Sequence, residues 1–580
     1  MHRIERAFPR IAVTALTVTA LAIGSPLVET ASAAPATPTT MVVAQTPTAQ
    51  PDPVALMSDY SNYWKPFTYD PANATTKADT AFRGTVLDQG VLNRNDQLTV
   101  AINNAGAADL DQSRRALVDA DYSWQETYSD ALGPTLSTYF TEGLASGELP
   151  GTTAAINKAY AMGTGEAKPV YNYPRPFLTD RAFTGQANPS NLNGLQSHLN
   201  IDEIPDWTDP NTGKTHSAQY EDIITGPSQA FPSGHTTMAY STGIALAQLL
   251  PQLGPEIITR ASEAGNNRIV LGVHYPLDIM GGRIIGQANN SYLWSDSNTF
   301  STVLQPAETE LQNYLTQRCV ADGLGTTLEA CISNTDANGT HGYNNYFTDA
   351  VSTAPVVDRT SALKAFQSRM TNGFTQVGAA GKAPVVPDGA ESLLATTFPS
   401  LSSVQRRAVL AATEIDSGYP LDNGSDGWQR INLAAAMSSK VTLDDKGTVT
   451  NVEPGQSVAS VVNETPSSSP SATETSPAPS ATETSPAPSA TETSSAPAAN
   501  QTPATSPSVT QSPSDSQSQA PSSAAPSSAV PNVVVKPNGP SGKSGLPLTG
   551  ASGVGTLVGL AAAVSLGGAG LVATRKHRRH

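Results

Sequence analysis

The tetrapeptide Pro232-Ser-Gly-His235, which a long apolar run follows directly, has residue types suited to acid–base chemistry on an anion. Ser and Gly before such a run predict a helix start, where free backbone N–H groups and the positive end of the helix dipole attract negative charge. A histidine there places a group that can give or take a proton near neutral pH beside a bound anion, as phosphoryl transfer requires. Taken alone, the same four residues also fit a histidine at the start of an ordinary helix.

Three cationic side chains flank this tetrapeptide in the sequence. Lys168 and Arg175 are seven positions apart, and Arg268 follows later in the chain. Two guanidinium groups and an ammonium match the non-bridging oxygens of a phosphate ester in charge and geometry, and the backbone N–H and hydroxyl groups around Ser233 and Gly234 add donors. No carboxylate cluster here suits Mg²⁺, so we expect these cations to replace a metal and predict no metal site.

The chemistry-bearing residues fall into three blocks that resemble the PAP2 superfamily. That superfamily includes bacterial class A acid phosphatases, lipid phosphatases and vanadium-dependent haloperoxidases. The resemblance covers residues 168–278, and the order and internal spacing of the blocks match the family pattern. One departure is Asn267, where the family usually has Ser, and another is the long connection 177–231. The blocks are Lys168-x6-Arg175-Pro176, Pro232-Ser233-Gly234-His235 and Asn267-Arg268-x5-His274-x3-Asp278.

The resemblance implies a fold and a division of labour between the two histidines. The fold would be all-α, a helical bundle with long loops. His274 would be the nucleophile that forms a phosphohistidine, and His235 the acid that protonates the leaving oxygen and later activates water. Asp278 would bind the far ring nitrogen of His274. The local sequence agrees, because Pro276 suits the first position of a helix and Asp278, near its third, would turn back toward the preceding loop.

Two other functions remain open at this point. A clamp that holds phosphate also holds vanadate, so the blocks do not separate a phosphatase, which needs no cofactor and is inhibited by vanadate, from a vanadate-dependent haloperoxidase. The second alternative is a non-catalytic surface adhesin, for which the Tyr- and Asn-rich loop 341–347 would supply a binding surface. Against the adhesin, none of the block residues is missing. We therefore predict a phosphomonoester substrate.

The connection 177–231 is acidic, and we expect it to overhang the pocket and to disfavour polyanionic substrates. Its carboxylates are Asp180, Asp202, Glu203, Asp206, Asp209, Glu221 and Asp222. Histidines outside the blocks lie in polar loops and are predicted to be surface residues or loop contacts, with a metal role as the weaker reading. They are His198, His216 and His341.

Apolar residues at three- and four-residue spacing predict a helical body, and strand-like alternation is scarce. We assign residues 57–440 to one phosphatase domain with Trp428 and Leu433 packed inside and an end near Ser439; the alternative is that residues 300–440 form a second domain. The predicted helices are 107–130, 134–146, 152–162, 236–250, 278–292, 303–318 and 403–413.

The first 33 residues predict export. A basic start precedes an apolar run from Ile11 to Gly24, and small residues at 31–33 suit a signal peptidase. The run is shorter than the roughly 20 residues needed to span a bilayer. Residues 34–56 would then be a linker. In an oxidising space the two cysteines, Cys319 and Cys331, are predicted to form one local disulfide.

The C-terminus resembles a sortase sorting signal of the LPxTG type. Leu546-Pro-Leu-Thr549-Gly550 precedes an apolar stretch and a basic tail, so residues 546–580 form the signal. The resemblance implies transient membrane retention, cleavage by sortase after Thr549 and covalent attachment of Thr549 to peptidoglycan. The expected location is therefore outside the cell, anchored to the wall.

Between the head and the sorting signal, residues 464–545 are dominated by Ser, Pro, Thr and Ala, with SATETSPAP at Ser471 and again at Ser480. Such a composition has little to bury, so we assign 441–545 to a disordered stalk. The formal net charge of −16 argues against binding nucleic acid or anionic lipid.

Overall fold

The computed structural model describes residue 47 and the ranges 49–67, 84–160, 163–178, 195–220, 229–334, 342–423 and 426–464. All of them belong to one compact unit. The predicted signal peptide, the sorting signal with Thr549 and the stalk beyond Glu464 lie outside the described residues.

Helices make up most of the described chain. In chain order the α-helices are α1 (Pro53–Leu56), α2 (Gln89–Ala108), α3 (Leu110–Ala120), α4 (Trp124–Thr127), α5 (Pro134–Ser146), α6 (Pro150–Ala159), α7 (Ala167–Tyr171), α8 (Gly234–Leu249), α9 (Gly254–Val270), α10 (Pro276–Ser295), α11 (Ser297–Thr299), α12 (Gln305–Ala321), α13 (Leu328–Ser333), α14 (Arg359–Thr371), α15 (Ser403–Thr413) and α16 (Leu433–Met437). Short 3₁₀ turns lie at 58–62, 176–178, 195–198, 251–253, 390–394 and 428–430, and a π-turn at Phe300–Leu304 leads into α12.

The strands form three small sheets at the periphery. β1 (Trp64–Pro66) pairs antiparallel with β2 (Gly84–Val86), and β3 (Trp207–Thr208) with β4 (Thr215–His216). β5 (Lys440–Leu443) lies between β6 (Val449–Glu453), antiparallel to it, and β7 (Ser460–Asn463), parallel to it. The chain therefore forms strands as far as Asn463, beyond the boundary predicted at 441 between domain and stalk.

The centre of the unit is a layer of three mutually packed helices, α8, α9 and α10. α8 is apolar on every side and buried from Thr236 to Leu249, as expected for a helix that neighbours surround. Gly282 lets α10 approach the start of α8, since a Cβ there would lie 2.8 Å from the carbonyl oxygen of Ser233. This contact fixes the two helix starts beside each other.

The periodic segments were the ones that the sequence predicted best. The bounds predicted for 134–146 and 403–413 are those of α5 and α15. The predicted helix 107–130 is divided instead, because Asp109 and Ser123 cap new helices at α3 and α4. Trp428 and Leu433 are buried, as predicted. The sequence missed α9, whose buried face includes charged residues such as Arg260 and Glu263 that hide its apolar period.

Cys319 of α12 and Cys331 of α13 form a disulfide, which confirms the predicted pairing. Neither cysteine is free. In the ranges that the structure describes, no helix combines the length and apolar character that a membrane crossing needs.

Candidate active site

The three sequence blocks converge where the ends of α7, α8, α9 and α10 meet. Backbone hydrogen bonds join them directly. The N–H of Ser233 donates to the carbonyl of Asp278 at 3.0 Å, and the N–H of Ala230 donates to the carbonyl of Tyr173 at 2.8 Å. The first block is thus tied to the segment before Pro232, and the second block, through Ser233, to the third. Residues that are 40 to 110 positions apart along the chain become neighbours.

His274 and Asp278 form a buried pair at the start of α10. The Nδ1 of His274 lies 2.9 Å from Oδ2 of Asp278, and the backbone N–H of Tyr275 donates to the same oxygen at 2.9 Å. The imidazole is 1% exposed and the carboxylate 0%. Pro276 is the first helical residue and Asp278 the third, so the helix start predicted here is confirmed.

Arg175 identifies which nitrogen of His274 carries the hydrogen. Its Nη1 lies 2.6 Å from Nε2 of His274 and donates to the carbonyl of Val273 at 2.9 Å. Because a guanidinium can only donate, Nε2 accepts with its lone pair and Nδ1 holds the hydrogen that it shares with Asp278. A lone pair on Nε2 is what a nucleophilic imidazole requires.

Arg268 and Lys168 complete a cationic pocket around that lone pair. Arg268 ends α9 and is 2% exposed, yet its Nε and Nη1 have no hydrogen-bond partner among the described residues. Unsatisfied buried donors are costly, which makes these two atoms a site for an anion. Lys168 donates from Nζ to the carbonyls of Gln229 and Ala230, at 2.5 and 3.3 Å.

The pocket holds more positive than negative charge. Burial, together with the neighbouring Arg268, lowers the pKa of Arg175 to about 9, and burial lowers the pKa of Arg268 to about 10. Both remain cations at neutral pH. Burial and the adjacent Arg175 also lower the pKa of Lys168, and burial raises that of Asp278 to about 7. An entering anion would relieve the repulsion among these cations.

His235 lies at the first turn of α8, at the partly exposed edge of the pocket. Its Nε2 is 3.0 Å from the carbonyl oxygen of Ala120, which can only accept. Nε2 therefore carries a hydrogen, and Nδ1 is left to exchange a proton with a substrate. Burial and the cation of Arg268 lower the pKa of this imidazole. Burial and the neighbouring Arg175 likewise lower the pKa of His274.

Ser233 and Gly234 build the helix start that the sequence predicted. Ser233 caps α8, and its Oγ accepts hydrogen bonds from the backbone N–H of Thr236 at 3.3 Å and from the Thr236 hydroxyl at 2.9 Å. Its own hydroxyl hydrogen can still be donated to an anion. Gly234 is the first residue of α8, and a Cβ there would lie 3.3 Å from Oγ1 of Thr164. Only a small residue leaves this end of the helix open.

Asn267, the departure from the family pattern, faces away from the pocket and belongs to a buried polar network. Its Nδ2 donates to Oδ2 of Asp119 at 2.7 Å, and Arg260 donates to the same carboxylate at 2.8 and 3.1 Å. Asp119 directly precedes Ala120, whose carbonyl holds His235. No sequence pattern pointed to Asp119 or Ala120, because a backbone carbonyl contact depends only on where the end of α3 lies.

The described part of the acidic connection packs against the end of α3. In the β3–β4 hairpin, Lys214 lies 2.8 Å from Asp121 and 2.6 Å from Glu126, and Nδ1 of His216 is 2.6 Å from Asp121. Asp121, Glu126 and His216 could group around a metal ion, but the ammonium of Lys214 is already paired with both carboxylates. His216 is thus a buried loop contact. His198 is exposed, and His341 lies outside the described residues.

Residues 151–298 match the PAP2 superfamily, and this range contains all of the block residues. The chain is also similar to three curated phosphatases. It is 32% identical over 104 residues to an acid phosphatase of Zymomonas mobilis, covering 18% of this chain and 39% of that protein. It is 30% identical over 81 residues to a non-specific acid phosphatase of Providencia stuartii, covering 14% and 32%.

A third relative, a non-specific acid phosphatase of Salmonella typhi, is 33% identical over 57 residues, covering 10% of this chain and 23% of its own length. In each comparison the matched segment is less than two thirds of the relative. The similarity to these relatives is thus local.

Proposed function

We propose that this chain hydrolyses phosphomonoesters through a phosphohistidine on His274, without a metal ion. The observation that carries the proposal is the orientation of His274, with Nδ1 held by Asp278 and the lone pair of Nε2 facing the cations. The unpartnered nitrogens of Arg268 supply the complementary anion site. The PAP2 match and the acid phosphatase relatives favour the same reaction class.

In the first step, Lys168, Arg175 and Arg268 would bind the non-bridging oxygens of the ester. The lone pair on Nε2 of His274 attacks phosphorus, and the ester P–O bond breaks as the N–P bond forms. His235 gives the proton on Nδ1 to the leaving oxygen, so an alcohol departs. The positive charge that develops on the phosphorylated ring is balanced by Asp278.

In the second step, a water molecule takes the place of the departed alcohol. His235 accepts a proton from this water as its oxygen attacks phosphorus, and the N–P bond returns its electron pair to Nε2. Inorganic phosphate leaves, and both histidines return to their starting protonation states. His274 thus acts as the nucleophile, and His235 acts as the acid in the first step and as the base in the second.

The test is hydrolysis of p-nitrophenyl phosphate by the full chain in the presence of a chelator, with and without orthovanadate. We expect turnover that survives chelation, is blocked by vanadate and disappears in His274→Ala. The matched control is His198→Ala, which removes an exposed histidine and should leave turnover unchanged. Base quenching during turnover should retain phosphate on wild-type protein and none on His274→Ala.

Two outcomes would contradict the proposal. Halide oxidation that appears only after vanadate loading, without ester hydrolysis, would identify the haloperoxidase alternative. Ligand binding that survives loss of both histidines, again without hydrolysis, would favour the adhesin. The loop that the adhesin would use is partly engaged in packing, since Tyr343 donates to Glu263 at 2.8 Å, although Tyr346 is 72% exposed.

We further propose that the enzyme is exported and attached to peptidoglycan through Thr549. The support is the order of the signals in the sequence, with a basic and apolar start and an LPxTG-type end. In a host with sortase, the wild type should be released only by wall-degrading enzymes, with its C-terminus at Thr549. Deletion of residues 546–550 should abolish that attachment, and wall attachment of the deleted form would contradict the proposal.

A further inference from the structure

Tyr122 lies beside His235 and is paired with a second tyrosine, Tyr160. Tyr122 follows α3 and Tyr160 follows α6, so the pair joins two separate elements. The ring centroids are 5.7 Å apart at 73°, and the two hydroxyls are hydrogen-bonded to each other. Both side chains are partly exposed. The pair therefore presents aromatic surface at the edge of the pocket, where His235 is also partly exposed.

Tyr122 contacts the general acid directly. Its ring meets the imidazole of His235 edge to face, with centroids 4.7 Å apart at 82°. The carbonyl of Ala120, two residues earlier, holds Nε2 of the same imidazole. His235 protonates the leaving oxygen from Nδ1, so the alcohol part of the ester departs on this side of the pocket. Tyr122 and Tyr160 are thus placed to touch the leaving group rather than the phosphate.

The backbone at Tyr122 is unusual for a residue of this size. Its φ is 60°, in the left-handed region that Gly and Asn adopt most readily. Such strain collects at functional sites and persists only where surrounding contacts hold it in place. Here Asp119 on one side is fixed by Arg260 and Asn267, which keeps the turn that aims the ring at His235.

The charged side chains of the β3–β4 hairpin and the end of α3 form ion pairs with one another at this edge. Asp121, next to Tyr122, is already paired with Lys214 and His216. In the part of the chain that the structure describes, a leaving group that reaches the tyrosines therefore meets aromatic faces and two phenolic hydroxyls, and the ammonium of Lys214 beside Asp121 is already paired with carboxylates. These surfaces suit a flat, uncharged group, because aromatic rings prefer edge or offset contacts with other rings.

We propose that Tyr122 and Tyr160 form a leaving-group subsite that selects aromatic phosphomonoesters over aliphatic ones. The inference rests on the proposed phosphatase activity and names the substrate class of that same site. If Tyr122 instead only supports His235, its loss changes the preference between aryl and alkyl esters in the opposite direction. The two roles can therefore be distinguished by experiment.

The experiment compares kcat/KM for phenyl phosphate and glycerol 2-phosphate in the full chain and three variants. Tyr160→Leu removes one ring without touching His235, and Tyr122→Asn removes the other while keeping a residue that tolerates the left-handed backbone. Tyr346→Leu is the matched control, because it removes an exposed tyrosine elsewhere. The inhibition constant of vanadate, which occupies the phosphate pocket alone, is measured for each variant.

We expect the ratio of aryl to alkyl kcat/KM to fall about five- to tenfold in Tyr160→Leu and in Tyr122→Asn, as loss of one aromatic contact implies. The inhibition constant of vanadate should be the same in these variants as in the wild type. The ratio of aryl to alkyl kcat/KM in Tyr346→Leu should also equal that of the wild type. If the tyrosines only position His235, the alkyl ester, whose leaving group needs the proton more, suffers most and the ratio rises. A raised or unchanged ratio in Tyr160→Leu overturns the subsite.

Failure of the subsite and failure of the phosphatase give different results. An active wild type whose ratio does not fall in the variants refutes only the subsite. A wild type that hydrolyses neither ester refutes the phosphatase, and the subsite with it.

Discussion

Replacement of Asp278 by Asn tests the role of the buried carboxylate behind His274 with little change in shape. Oδ2 of Asp278 accepts from His274 Nδ1 and from the N–H of Tyr275, both at 2.9 Å. An amide at this position carries no charge, and its NH₂ group can donate to Nδ1. That hydrogen bond would place the ring hydrogen on Nε2, the atom that must attack phosphorus.

The magnitude follows from the charge that the ring acquires in the transition state. A positive imidazole about 4 Å from a carboxylate gains about 4 kcal/mol at an effective dielectric constant near 20. This energy overlaps with that of the charge-assisted hydrogen bond, about 1.5–3 kcal/mol, so the two are not added. Since about 1.4 kcal/mol corresponds to a tenfold change in rate, we expect kcat to fall about 10³-fold.

The assay is kcat for p-nitrophenyl phosphate together with the single-turnover rate of phosphoenzyme formation, both of which should fall in parallel. The control is Asp349→Asn, which alters another buried carboxylate that accepts backbone N–H bonds, from Val351 and Ser352, outside the pocket. Its kcat should change less than threefold. A loss of less than tenfold in Asp278→Asn would refute the reasoning, because the carboxylate would then not be stabilising the charge on His274.

Three further predictions follow from the same site. His235→Ala should slow hydrolysis of glycerol 2-phosphate about 10²-fold more than that of p-nitrophenyl phosphate, whose leaving group needs little protonation; equal losses in kcat would contradict an acid role. Burial and Arg268 lower the pKa of His235 below its usual 6.5, so the protonated form of His235 is already lost before the pH reaches 6.5. We therefore expect kcat/KM to fall as the pH rises through this lowered pKa. In Arg268→Met the pKa of His235 should rise, so the decrease in kcat/KM should begin at a higher pH, whereas the pKa of the ester does not depend on the protein. If the decrease stays at the same pH, it reports ionisation of the substrate and not of His235. Asn267→Ser should lower the free energy of unfolding by about 1–2 kcal/mol in urea titration through loss of the bond to Asp119, and an unchanged midpoint would show that this bond contributes nothing.

The residues close together in the sequence were predictable, because short-range geometry is set by spacing. His274 and Asp278 are four positions apart at a helix start that Pro276 marks, and the structure has the helix begin there. The start of α8 follows in the same way from Ser233 as its cap. The disulfide between two cysteines 12 positions apart was predictable too. The sequence also set apart 464–545 as a tract unlike the rest by composition alone.

Tertiary structure decided what surrounds those residues. α9, which carries Arg268, escaped prediction because its buried positions include Arg260 and Glu263, whose partners lie on other helices and leave no periodic signal. Strands β5 to β7 were missed as well, because each has only four or five residues and they are defined by pairing with one another.

The contacts that position the imidazole of His235 are the clearest case of a feature that only the folded chain reveals. Its ring meets a backbone carbonyl, which every residue possesses, and also Tyr122, whose left-handed backbone no local pattern predicts. The sequence determined which groups could perform the chemistry, since residue type fixes charge and proton affinity. The packing of α3 against α9 decided which nitrogen of that ring faces a substrate and what it touches, because contacts between distant segments depend on the whole fold.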